Sequence, residues 1–134
     1  MEGLRALATD GVVVLEGEVV LLRRDHPPHE GEWVLPGGMV ERGETAREAC
    51  VREVEEEVDL EVVIEDFVGL FDAPDRDERG NVSVAYRCRP IDNGVPAPRD
   101  EAREVDSFPP GELPEMGFDH AAIVAAAFEE QIHA

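Results

Sequence analysis

An α/β fold is what this sequence of 134 residues predicts, and three features predict it. Two short runs rich in Val and Leu, Gly11–Leu15 and Val19–Arg24, flank the turn Glu16-Gly17-Glu18 and read as a β-hairpin. The run from Thr45 to Val58 lacks Gly and Pro and is rich in Ala, Glu, Arg and Val, so it reads as a helix. Val- and Ile-rich runs then return before an alanine-rich closing helix. The length suits one domain with one core, so residues 1–134 are expected to form a single unit.

Taken in order, Leu4–Ala8 opens as a strand segment ahead of the hairpin. Asp25–Gly31 holds His26, Pro27, Pro28 and His29 and is a loop. Trp33-Val34-Leu35-Pro36-Gly37-Gly38 follows, where Pro sets the chain direction and two glycines let backbone approach a ligand closely. After the helix, Glu61–Leu70 reads as a strand and Phe71–Gly80 as a polar loop. Asn81–Arg89 is a strand with Val82, Val84, Tyr86 and Cys88 on one face. Asp92–Asp100 is a Pro/Gly loop, followed by Asp100-Glu101-Ala102-Arg103-Glu104 and Val105–Phe108. Asp119 is a candidate N-cap for a last helix, Ala121–Ile132, with Ile123, Ala126 and Ala127 on its apolar face.

The chemistry concentrates in the first helix. Helical spacing puts Glu53, Glu56 and Glu57 on one face, with small Ala49 beside them. Cys50, Val51, Val54 and Val58 form the arc that packs on a core. Three carboxylates on one face repel one another, and a cation would complete them. Clustered carboxylates are hard oxygen ligands that suit Mg²⁺ or Mn²⁺. The plainer alternative is a solvated acidic face in an acidic protein.

The spacing around these acids decides between the two. Gly38, five residues, Glu44, seven residues, Arg52-Glu53-Val54, one residue, Glu56-Glu57, one residue, Asp59-Leu60: this resembles the box of the Nudix hydrolases. Asp59 stands where that family usually has Gly, which closes the helix in a left-handed turn. The resemblance implies a mixed β-sheet sandwiched between α-helices and a metal-dependent hydrolysis of nucleoside diphosphate derivatives. It implies metal ligands at Glu53, Glu56, Glu57 and the Gly37 carbonyl, with Gly38 and Glu44 structural and Glu44 paired to Arg52. Arg52 would orient the carboxylates. The general base would be Glu53 or a loop acid, with Glu104 preferred over Glu101. The D-R-D-x-R-G loop at 75–80, the V-S-V-A-Y strand and Phe118-Asp119-His120 resemble the ADP-ribose pyrophosphatase branch, which implies ADP-ribose cleaved to AMP and ribose 5-phosphate. Arg79 and Glu101 become substrate-binding candidates. Trp33 reads first as core and second as a nucleobase contact. Two alternatives stay open: a pyrophosphohydrolase of (oxidised) nucleoside triphosphates, and a binding module of the same fold without catalysis.

Charge narrows the partners. Acidic residues number 32 against 12 basic, a formal charge of −20, and every basic residue is Arg. Such a field disfavours nucleic acid and anionic membranes, and points to a small nucleotide met by metal ions and local Arg. Acidic, Lys-free composition is also that of a halophilic protein, where salt screens self-repulsion. Cys50 and Cys88 have no metal or disulfide spacing and are expected as buried thiols. The start of the sequence shows no leader pattern and no run has transmembrane length, so a cytoplasmic enzyme is expected. Many relatives are homodimers, which leaves a homodimer as an option the sequence does not decide.

Overall fold

The computed structural model describes residues 3–129. Its elements are β1 (Leu7–Leu15), β2 (Glu18–Arg24), β3 (Trp33–Val34), β4 (Gly37–Met39), α1 (Ala46–Val58), β5 (Val62–Phe71), β6 (Val82–Pro90), β7 (Ala102–Phe108) and α2 (His120–Ala127). The strands form a mixed sheet in the order β3-β2-β1-β6-β5, with β4 also on β1 and β7 also on β2. Only the β1–β6 pair is parallel among these, running from Leu7 opposite Val82 to Val13 opposite Cys88.

The sheet is covered on both faces, which explains the unbroken apolar run in β1. Val13 joins Cys50, Val54 and Val58 of α1, with Tyr86 and Cys88 of β6. Its neighbour Val12 points the other way, to Ile123 and Val124 of α2 and Ala85 of β6. Each fully buried Val contributes about 1.5–3 kcal/mol, so the first helix is anchored through the arc read from its sequence. The expected sandwich of sheet between helices is therefore present.

The ends of α1 follow from local chemistry. Thr45 accepts a hydrogen bond from the Glu48 N–H, and the Glu48 carboxylate accepts one from the Thr45 N–H. This capping box satisfies two backbone donors that a helix start otherwise leaves open. At the other end Asp59 has φ +61° and its N–H donates to the Glu55 carbonyl. The left-handed turn expected of a Gly is thus made by an Asp, whose carboxylate also pairs with Arg99 at 2.9 Å.

Three expectations shift. Leu4–Ala6 lie outside any strand, and β1 runs unbroken from Leu7 through the position expected to divide it. The acidic segment around Glu104 is strand β7, paired antiparallel with β2, because β2 offers it a free edge that local sequence does not reveal. The closing helix spans His120–Ala127, with Phe128 ending it, and Ile132 lies outside the described residues. Asp119 occupies the cap position without a side-chain cap bond. Its carboxylate is taken instead by Arg76, at 2.8 and 2.6 Å.

That pair carries a stability prediction. The Arg76 side chain is only 4% exposed, and removing one partner of a buried ion pair leaves the other charge uncompensated. Asp119→Ala should lower unfolding stability by about 3 kcal/mol in denaturant titration. A loss below about 1 kcal/mol would mean that the pair behaves as a surface bridge.

Candidate active site

The elements above converge on a cavity of about 340 Å³, within the range of small-ligand sites. Its carboxylates come from Asp10 on β1, Glu41 in the loop after β4, Glu53 and Glu57 on α1, Asp77 in the loop before β6, and Glu101 just before β7. Its guanidiniums are Arg24, Arg76 and Arg79. Gly37 and Gly38 bring bare backbone between them.

The glycines are required there by close approach. A Cβ on Gly38 would strike the Glu53 carboxylate, and one on Gly37 would strike the Thr9 carbonyl and the Asp10 carboxylate. The Gly37 N–H donates to Glu57 Oε1 at 2.8 Å. Arg52 organises the outer side of the helix face. It forms a two-pronged pair with Glu44, at 2.7 and 3.1 Å, as the spacing implied. Its other nitrogen donates to Glu53 Oε2 at 3.1 Å and Glu56 Oε1 at 3.2 Å. The hydrogen bond from Arg52 holds Glu44 below the usual carboxylate range.

Burial works against the charged forms of the two inner acids. It pushes Glu53 up to about 7, against the pull of Arg52. It pushes Glu57 up to about 9, although the Gly37 N–H favours its anion, and the charges of Glu53, Asp10 and Glu101 add to the rise. Two buried carboxyls whose anions the site disfavours, facing bare backbone, fit a hard divalent cation, which would supply the positive charge that the chain lacks at this place.

These values give a pH prediction with a definite sign. In the folded state Glu57 holds its proton up to about 9, against 4.5 as the ordinary value, and Glu53 to about 7. The folded protein therefore binds more protons than the unfolded chain above pH 4.5. This contribution to stability is fully present below that pH and is lost as pH rises through 7 and then 9. In a chelator, the melting temperature should fall steadily between pH 5.5 and 8.5, values within that window, and excess Mg²⁺ should flatten the slope. A melting temperature that rises with pH in chelator would contradict the assignment of these two groups.

The structure sorts the other sequence candidates. Arg79 lines the cavity and is paired with Asp77, whose oxygens lie 3.1 and 2.9 Å away. Glu101 also lines it. Glu104 does not: it sits on β7 opposite Arg23 of β2, ion-paired at 3.4 Å and half exposed. Glu56 does not line the cavity as it stands, because Arg52 holds it outward with 44% of its side chain exposed. Among the described residues no three acidic, histidine or cysteine side chains converge on one point. Trp33 packs edge-on against Phe108, ring centres 5.1 Å apart, beside the apolar cluster under α2, and does not line this cavity.

Sequence reasoning missed Arg24 as a cavity residue. Arg76 and Arg79 are ion-paired with Asp119 and Asp77, whereas among the described residues the Arg24 side chain donates to the carbonyls of Pro27 and Pro28 and meets the His26 ring. Burial lowers its pKa, and the charge of Arg79 adds to this. Both Arg24 and Arg79 lie over the ring of Phe118, at 5.5 and 5.3 Å. A pair of adjacent arginines at a strand end was the only signal available.

Fold and box meet in the comparisons with known proteins. The chain belongs to the Nudix family: the model of the NUDIX domain matches residues 5–127. It is 37% identical over 119 residues to an ADP-ribose pyrophosphatase of Methanocaldococcus jannaschii, covering 89% of this chain and 70% of that one. It is 34% identical over 113 residues to a MutT-like protein of Streptomyces ambofaciens, covering 84% and 69%. A NUDIX hydrolase structure from Nitrosomonas europaea shares its fold, with TM-score 0.83 and 24% identity over 99% of this chain and 74% of that chain. The chain is thus a Nudix hydrolase acting on pyrophosphate bonds. Among its described residues no helix is long and apolar enough to cross a membrane.

Proposed function

We propose that this chain is a divalent-metal-dependent ADP-ribose pyrophosphatase that yields AMP and ribose 5-phosphate. The observation that carries the substrate is the similarity to the M. jannaschii ADP-ribose pyrophosphatase, which extends over 119 residues and so reaches well beyond the box. The cavity supports it, with carboxylates beside the Gly37–Gly38 backbone and guanidiniums around Phe118. A diphosphate that arrives with its own cation matches both halves.

Mg²⁺ or Mn²⁺ would be held by Glu53, Glu57 and the Gly37 backbone, joined by Glu56 once it leaves Arg52. When bound, the cation neutralises phosphate oxygens and acidifies water. The proton acceptor in this reading is a carboxylate left off the cation, Glu53 where Glu56 and Glu57 hold the metal, with Glu101 on the cavity wall as the second carboxylate. Arg52 holds Glu53 in place. Arg24 and Arg79 receive the anionic part of the substrate that lies away from Glu57. Gly38 and Glu44 keep the loop and the helix in register. We read the protein as one domain over residues 1–134, cytoplasmic, and a homodimer as many relatives are. The charge of −20 without any Lys supports a halophilic source.

A turnover panel tests the substrate. ADP-ribose, NADH, dinucleoside polyphosphates and normal and oxidised dNTPs are offered with Mg²⁺ or Mn²⁺ in low and high KCl. ADP-ribose is expected to give the highest kcat/KM, with AMP and ribose 5-phosphate as products. Pyrophosphate release from a dNTP with ADP-ribose untouched would overturn this reading in favour of nucleotide clean-up. Silence on every substrate would favour a binding module. Turnover confined to high KCl would support the halophilic source.

A further inference from the structure

Beneath the two glycines lies a set of buried polar side chains that the proposed chemistry does not use. Asp10 is 6% exposed, Ser83 is fully buried and His120 is 5% exposed. Asp10 sits on β1 directly opposite Gly37 of β4. The Ser83 hydroxyl donates to Asp10 Oδ2, and His120 Nε2 lies 3.5 Å from Asp10 Oδ1. His120 Nδ1 accepts the Leu35 N–H at 3.0 Å. That last bond settles the tautomer: Nδ1 offers its lone pair, so the ring proton is on Nε2 and faces Asp10. Burial lowers the pKa of His120 and keeps the ring neutral, consistent with this arrangement.

The chain of contacts continues into the site. The Pro36 carbonyl accepts the Gly11 N–H at 2.9 Å. The Gly37 N–H then meets Glu57 at 2.8 Å. Every residue from Leu35 to Gly37 is therefore gripped, from α2, from β1 and from α1. An apolar trio of similar volume would fill this space without burying a carboxylate and an imidazole. What the polar trio adds is direction, because each bond is oriented and each partner sits on a different element.

We propose that Ser83, Asp10 and His120 are positioning residues for the Leu35–Gly38 segment, and that they set where the Gly37 backbone stands against Glu57. The kinetic part of this inference rests on the hydrolase proposed above. The structural part does not. Asp10 and His120 also line the cavity, but neither Ser83 nor His120 hydrogen-bonds Glu53 or Glu57, so their hold on those two acids passes through the backbone between them.

Ser83→Ala removes the hydroxyl from Asp10. His120→Asn retains an acceptor for the Leu35 N–H but falls short of Asp10. In both, amide exchange at Gly37 should quicken, and Mn²⁺ binding without substrate, followed by electron paramagnetic resonance, should weaken by about 10-fold. On ADP-ribose, kcat should fall by about 10-fold with KM within about twofold. Thermal scans establish that each variant is folded. Asp10→Asn, which keeps the shape and loses the charge, serves where either variant does not fold. Folded variants with Gly37 exchange and Mn²⁺ affinity both within about twofold of the parent would overturn the positioning role and leave the trio as core packing. A parent that neither binds Mn²⁺ nor turns over ADP-ribose would overturn the proposed function, and exchange at Leu35 and Gly37 would then decide the positioning role alone.

Discussion

Glu57→Gln should lower kcat on the preferred substrate by about 10²–10⁴-fold, the range of a catalytic carboxylate, while the fold persists. Gln is nearly isosteric, and its carbonyl oxygen can still accept the Gly37 N–H now given to Glu57 Oε1. What disappears is a charge at a site 9% exposed. Without cation that charge is a burden, so the variant should melt higher than the parent in chelator at alkaline pH. With Mg²⁺ the order should reverse, because the parent gains a ligand that the variant lacks. Glu56→Gln should cost less, since Glu56 faces Arg52 with nearly half of its side chain exposed. Steady-state kinetics and melting curves with and without Mg²⁺ check all four statements. Near-parental turnover in Glu57→Gln would sink the metal-site assignment.

Gly38→Ala should be nearly as damaging from the opposite wall. Its methyl group would collide with the carboxylate of Glu53. That carboxylate is the flexible end of a side chain, so it moves and the backbone does not. Moving it breaks its 3.1 Å bond with Arg52 and shifts it from the cavity position it shares with Glu57. A misplacement of about 1 Å can cost about 10²-fold in rate, and that is the expected loss in kcat. Overpacking of this kind costs about 1–3 kcal/mol in stability. Activity within about threefold of the parent, against the loss expected of misplacement, would show that Glu53 does not need its present position.

What the sequence made legible was local. The helix from Thr45, the left-handed turn at Asp59 and the Glu44–Arg52 pair lie within one loop and one helix, where spacing translates directly into contact. The hairpin and the strands β5 and β6 were legible for the same reason, each being set by its own periodicity. Glu101 and Glu104 were not separable, because only the pairing of β7 with β2 determines where each acid stands. A one-residue change of register would exchange the faces of the strand. The partner of Asp119 was hidden likewise: a helix cap is a local prediction, and a buried arginine 43 positions away outcompetes it. Asp10, Ser83 and His120 come from β1, β6 and α2 and meet only once the sheet is assembled. Nothing in the neighbourhood of any one of them announces the other two.

One assay bears most directly on the account as a whole. Purified protein is incubated with ADP-ribose in high KCl, with Mg²⁺, with excess chelator, and with chelator followed by Mg²⁺, beside Glu57→Gln under the same conditions. Products are separated by chromatography. AMP and ribose 5-phosphate should appear in equal amounts with Mg²⁺, vanish in chelator, return on re-addition and stay near background in the variant. Undiminished cleavage in chelator, or by Glu57→Gln, would contradict a hydrolysis carried out by a cation held between α1 and the Gly37–Gly38 backbone.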